Sequence, residues 1–181
     1  MEQSQYFENY ENNLKKNLVD FCTEKNYLSG MLLETIDITE KWDSISPSYI
    51  ADASKEINKY PAVSLGWAMY LGMAVAKYWD SDWNIYGKHP NLYEHLKNKR
   101  GFDYMDEVVR GEILGLKDDQ FTKCEDFVRS CTLLALNKIR QEGIEPCTPS
   151  AFFVYTLSCK VLYLIGASIT LRKLGYVMEK L

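Results

Sequence analysis

Histidine is scarce in this chain, with only His89 and His95 among 181 residues. Neither stands in an E-x-x-H motif, which argues against a ferritin-like di-iron bundle, since each half of that site takes one. The five cysteines (Cys22, Cys124, Cys131, Cys147 and Cys159) are odd in number and lack any C-x-x-C pair. Neither a disulfide framework nor a zinc site is indicated, and Cys124 and Cys131, one heptad apart, read as small buried hydrophobes in a reducing compartment. There is no G-x-S-x-G, no P-loop and no G-x-G-x-x-G. Positive charge is also in deficit: the formal charge is −4. A general nucleic-acid binder needs a basic field to displace counterions, so that class is set aside. The one basic cluster, Lys97, Lys99 and Arg100 before Gly101, suits a last helical turn and its stop. The polar, acidic start lacks the apolar core of a signal peptide, which makes the cytoplasm the expected location.

What the chain does have is helical periodicity, and no strand pattern competes with it. Residues 60–76 carry no charged side chain. At helical spacing Ser64, Ala68, Gly72 and Ala76 form one small ridge, Leu65, Met69 and Met73 a second, and Trp67, Leu71, Val75 and Trp79 a third. A helix apolar all round is a buried helix, and its small ridge invites close approach of another backbone. The segment from Pro149 to about Leu174 has the same character, with Gly166 and Thr170 on its own small ridge. Its length would cross a bilayer, but Lys160 near the middle is costly there, so both segments are expected inside a protein core.

The remaining elements are amphipathic. Phe7, Tyr10, Leu14, Leu18 and Phe21 mark a first helix ending near Gly30. A short second helix is expected over 31–42, and a third from the Ser46-Pro47 cap signature to about Lys59. Residues 80–91 read as a loop, followed by a short helix from Asn91 to Lys99. Asp103 is expected to cap the next helix, whose side carries Met105, Val109 and Ile113. Asp118 is expected to cap a longer one carrying Phe121, Cys124, Val128, Cys131 and Ala135, with its stop at Gly143. No 34-residue repeat recurs. The expected fold is all-α: a single-domain irregular bundle of six to eight helices over residues 1–181, with two central apolar helices.

Three sites stand out. Trp79, Asp80, Asp82, Trp83, Tyr86 and His89 could rim a ligand pocket or a partner contact, being aromatic, polar and close together. Asp80, Asp82 and Asn84 also have the D-x-D-x-N spacing of oxygen ligands for Mg²⁺ or Ca²⁺. The loop is no EF-hand, since Ile85 and Asn91 stand at its sixth and twelfth positions. Its plain alternative is a set of turn residues bonding neighbouring amides. Trp67, Tyr70 and Met73 could line a small-molecule pocket.

The third site is acidic. Glu8 and Glu11 lie three apart, as do Glu34 and Asp37, with 22 residues between the pairs. This E-x-x-E … E-x-x-D order resembles the Mg²⁺ motif of the all-α nucleotide pyrophosphohydrolases. The resemblance implies facing carboxylates that hold metal ions, bind a nucleotide's phosphates and help activate a water. Glu11 lies within its helix's apolar stripe, and its other reading is an inward acid paired with Lys160. Asp103, Asp106, Glu107 and Arg110 read as an acidic first turn with i,i+4 pairing. The leading expectation is a non-catalytic protein without cofactor, acting through a protein partner or as a homodimer, with no nucleic acid and no membrane. A small-molecule-binding bundle follows, then the Mg²⁺-dependent enzyme.

Overall fold

The charge-free run coils into a helix and is walled off by its neighbours. In the computed structural model, which describes residues 2–57 and 59–177, eight α-helices follow one another without a strand among the described residues. They are α1 (Glu2–Glu24), α2 (Ile36–Ala53), α3 (Pro61–Ser81), α4 (Trp83–Lys88), α5 (Leu92–Arg100), α6 (Met105–Glu107), α7 (Asp119–Gln141) and α8 (Pro149–Lys173). From α6 the chain runs straight into a π-helical turn, Val108–Ile113.

Helices α3 and α8 make the centre. Each begins with proline in its first turn, where the missing N–H costs nothing. Every residue from Val161 to Leu171 is buried, as are Leu65, Ala68, Met69 and residues 71–76. The pair runs parallel: Gly72 abuts the Tyr163 carbonyl, and further along Trp79 meets Tyr176 with ring centroids 5.3 Å apart. Of the helices described, Pro149–Lys173 is long and apolar enough to cross a membrane, and 72% of its apolar window is buried within the fold.

Helices α1, α2 and α7 pack around this pair, each presenting one apolar stripe. On α1 the stripe is Tyr10, Leu14, Leu18 and Cys22, and Tyr10 shares a hydrogen bond of 2.6 Å with Ser158 of α8. Helix α7 runs opposite to α1, with Phe21 stacked on Phe127 at one end and Tyr6 donating to Glu142 at the other. Buried tyrosines tie the layers through their hydroxyls. Tyr163 donates to the Ile38 carbonyl at 2.8 Å, Tyr49 to the Ser64 carbonyl, and Tyr93 to Asp52 at 2.6 Å. A tyrosine ring buries like a hydrophobe, and in these three the polar tip finds a partner.

Several boundaries differ from the sequence expectation. Helix α1 ends at Glu24, well before Gly30, and Asn26 turns the chain at φ +67°. The expected break at Ser46-Pro47 does not occur, and α2 continues through Pro47. Ile38, Trp42, Ile45, Tyr49 and Ala53 form one unbroken buried stripe, while Asp43 and Pro47 face water. The carbonyl that proline leaves unpaired, four residues back, is therefore on the solvated side. Thr35 caps α2, accepting from the Ile38 amide at 3.1 Å, so residues 31–34 lie outside the helix.

Asp103 does not cap α6: it lies in a 3₁₀ turn that follows Gly101, whose φ of +89° closes α5. Asp118 stands at the head of α7 without a side-chain cap bond.

Candidate functional site

Residues 80–91, expected as a loop, are mostly helical. Asp82 makes the join: its amide donates to the Tyr78 carbonyl at 2.9 Å, and its carboxylate accepts from the Ile85 amide at 3.2 Å. One residue thus closes α3 and caps α4. Asp80 turns the other way and accepts from the Tyr176 hydroxyl at 2.8 Å. The two aspartates are engaged in different places, as helix-end residues are, and Asn84 is exposed.

Apart from Asp82 at the join, the five other rim residues fall into three neighbourhoods. Trp79 and Asp80 lie against Tyr176. His89 faces His95, with ring centroids 4.4 Å apart. Trp83 stacks on Tyr86 at 5.0 Å, one helical step along α4.

Tyr86 is no rim residue by exposure, being 3% exposed with its hydroxyl buried and unpartnered. Burial, aided by Asp37 and Glu40, pushes its hydroxyl up to about 12. Lys41 lies over the Tyr86 ring at 4.6 Å and donates to its carbonyl at 3.2 Å. Trp83 by contrast is 59% exposed. Between α2 and α4 this leaves a groove of about 310 Å³ bordered by Asp37, Glu40, Lys41, Ser44, Trp83 and Tyr86.

The four acids of the E-x-x-E … E-x-x-D pattern are not gathered. Glu11 pairs with Lys160 at 3.0 Å, the plain alternative for that residue. Glu8 is exposed on α1. Glu34 precedes α2 and borders a cleft against Asn12, Lys15 and Lys16, while Asp37 faces the Trp83 groove. Among the described residues no group of three or more His, Cys, Asp or Glu side chains is arranged to hold a metal ion. The pattern needs two facing helices, and Glu34 is not in one.

Trp67 and Tyr70 do line a cavity, of about 200 Å³, between α3, α6 and α7. Met73 does not: it borders a separate cavity of about 180 Å³ beside Leu114, Cys124 and Lys173. Spacing alone does not decide this, since Trp67 and Tyr70 are also three apart; Tyr70 lies beside Asp106 and Glu125, whereas Met73 lies beside Leu114 and Ile169. Trp67 and Tyr70 meet edge to face at 5.7 Å, and the Trp67 indole donates to the Phe102 carbonyl at 2.7 Å.

Below this cavity lies a residue that the sequence marked only as an i,i+4 pairing partner. Arg110, 2% exposed, contacts Asp106 at 3.0 Å and Glu125 at 3.3 Å, and donates to the Phe121 carbonyl at 3.2 Å. Its guanidinium stands 3.9 Å from the Phe121 ring centre. A buried guanidinium survives only with its donors matched, and two carboxylates, a carbonyl and an aromatic face supply that here. Burial holds the Asp106 carboxyl above the usual range, outweighing the opposite pull of the backbone and Arg110. The i,i+4 spacing of Asp106 and Arg110 signalled the pair; its burial arises from α7 closing over it.

The chain matches no protein-family model, no curated protein and no solved structure.

Proposed function

We propose that this is a non-catalytic helical protein acting through contact with another chain, and that the Trp83 face is the contact. The observation that carries the reading is Trp83 itself, 59% exposed yet held in place by its stack on Tyr86. An ordered aromatic offered to solvent costs little entropy to dock, which is why tryptophan is enriched at binding hot spots. Ile36, 76% exposed, lies one helical turn before Glu40 on the other border of the groove.

The partner the groove suits best is a second copy. It carries Asp37 and Glu40 beside Lys41, so a two-fold axis would bring acid against base as well as tryptophan against tryptophan. Sedimentation equilibrium over a wide concentration range tests this. A monomer–dimer equilibrium is expected, weakened by about thirtyfold in Trp83→Ala, the effect of losing a hot spot of about 2 kcal/mol. A wild-type monomer at every concentration, or a Trp83→Ala variant that dimerises unchanged, overturns it.

A further inference from the structure

The cavity between α3 and α7 has no part in that contact, and its lining is unusual in a specific way. Its charges are already matched: Asp106 is held by Arg110, and Glu125 by Arg110 and by Arg129 at 3.3 Å. A charged ligand would have to break one of these pairs, which is expensive in a partly desolvated site. One of its hydroxyls is not matched. Thr132 is 3% exposed and its Oγ1 is buried with no hydrogen-bond partner. Tyr70 is 2% exposed, but its hydroxyl is not sealed off without a partner as that of Thr132 is. Buried polar groups without partners are rare in folded proteins, and each calls for an explanation.

The remaining wall is apolar and aromatic: Trp67, Ala62, Val63 and Val128. Gly66 keeps it open, since a Cβ there would stand 3.2 Å from Thr132 Oγ1 and 3.7 Å from Val128 Cγ1. The volume of about 200 Å³ falls short of the roughly 300–1,000 Å³ that drug-sized ligands occupy, so the occupant is small. The π-helical turn that carries Arg110 and borders this corner is an element met often at binding sites.

We infer that this cavity is a binding site for a small neutral aromatic molecule bearing one hydroxyl, its ring against Trp67 and Tyr70 and its hydroxyl bonded to the hydroxyls of Tyr70 and Thr132. Binding needs no movement of the ion pairs below, and it supplies the partner that Thr132 Oγ1 lacks.

Phenol and toluene, alike in shape and different in one hydroxyl, are the probes. Titrated into isotope-labelled protein, phenol is expected to give saturable NMR shifts centred on the Gly66 amide and the Trp67 indole N–H. Toluene is expected to bind about tenfold more weakly, for want of the hydrogen bond. In Tyr70→Phe/Thr132→Val, which keeps the shape of the wall, the two probes bind alike. Shifts that do not saturate, that centre elsewhere, or that are equal for both probes in the wild type overturn the inference; the cavity then holds solvent only. The wild-type comparison stands even if the double variant does not fold. Trp83→Ala leaves phenol binding intact, so this result and the dimer result are independent.

Discussion

Gly72 and Gly166 are reciprocal: a Cβ on Gly72 would fall on the Tyr163 carbonyl oxygen, and a Cβ on Gly166 on the Met69 carbonyl oxygen. Each glycine is the space into which the other helix's backbone fits, one turn apart along the α3–α8 crossing. The obstructing atoms are backbone, so no side-chain rotation relieves the clash, and the two central helices would have to separate.

Alanine at either position should therefore destabilise strongly, although alanine favours a helix over glycine by about 1 kcal/mol. Overpacking ordinarily costs about 1–3 kcal/mol, and an unyielding backbone puts Gly72→Ala and Gly166→Ala at about 3 kcal/mol or more, net of propensity. Gly87 is the control: a Cβ there meets only Trp83 Nε1, at 3.8 Å. Gly87→Ala is expected to be neutral or slightly stabilising in urea unfolding. Equal effects at Gly72 and Gly87 would show that the helices are not in backbone contact.

This crossing was legible in the sequence, and the reason is local. Four-residue spacing of Ser64, Ala68, Gly72 and Ala76, with no charge nearby, has few uses other than a close helix contact. The course of α2 was not legible, because Pro47 is a strong stop signal whose cost depends on which side its orphan carbonyl faces. That side is set by Trp42 and Tyr49 packing on Tyr163 and Tyr93, residues distant in sequence. The rim was half legible. Its aromatics are close in sequence, but Asp82 capping a two-turn helix sends Tyr86 inward and leaves Trp83 as the exposed member. Arg110 was hidden for a related reason: one sequence window shows its i,i+4 partner but not the helix that covers it.

Glu11 offers a test of what the inward acid contributes. Its pair with Lys160 is partly sheltered, with side-chain exposures of 19% and 33%. Removing the cation alone in Lys160→Met leaves a half-buried carboxylate facing apolar neighbours. A loss of about 1–2 kcal/mol is expected, below the roughly 3–5 kcal/mol of fully buried pairs because water still screens this one. Replacing both members, Glu11→Leu/Lys160→Met, is expected to restore stability to within about 1 kcal/mol of wild type, since no charge is then stranded. Denaturant unfolding of the two variants measures the difference. A double variant as unstable as the single one would mean that packing, rather than the stranded charge, causes the loss.

His95 gives the fold an acid sensitivity whose sign can be worked out. Burial holds its imidazole below the usual value of 6.5, assisted by His89 and Lys99 and opposed by Asp82. Its Nε2 is buried without a partner, and the Tyr78 ring covers it edge-on at 5.8 Å. In the unfolded chain the same group titrates near its ordinary value, about 6.5. As pH falls below that value the unfolded state takes up the proton first, so the equilibrium shifts toward unfolding. The neutral imidazole's contribution is thus complete above about pH 6.5 and fades as pH drops toward the lowered folded value. Unfolding free energies between about pH 7.5 and about pH 5.5 should decline in the wild type and decline less in His95→Gln. His89→Gln should also flatten the curve, because His89 is one of the neighbours that lower the His95 value. An identical decline in His95→Gln would place the acid sensitivity elsewhere, among the carboxylates.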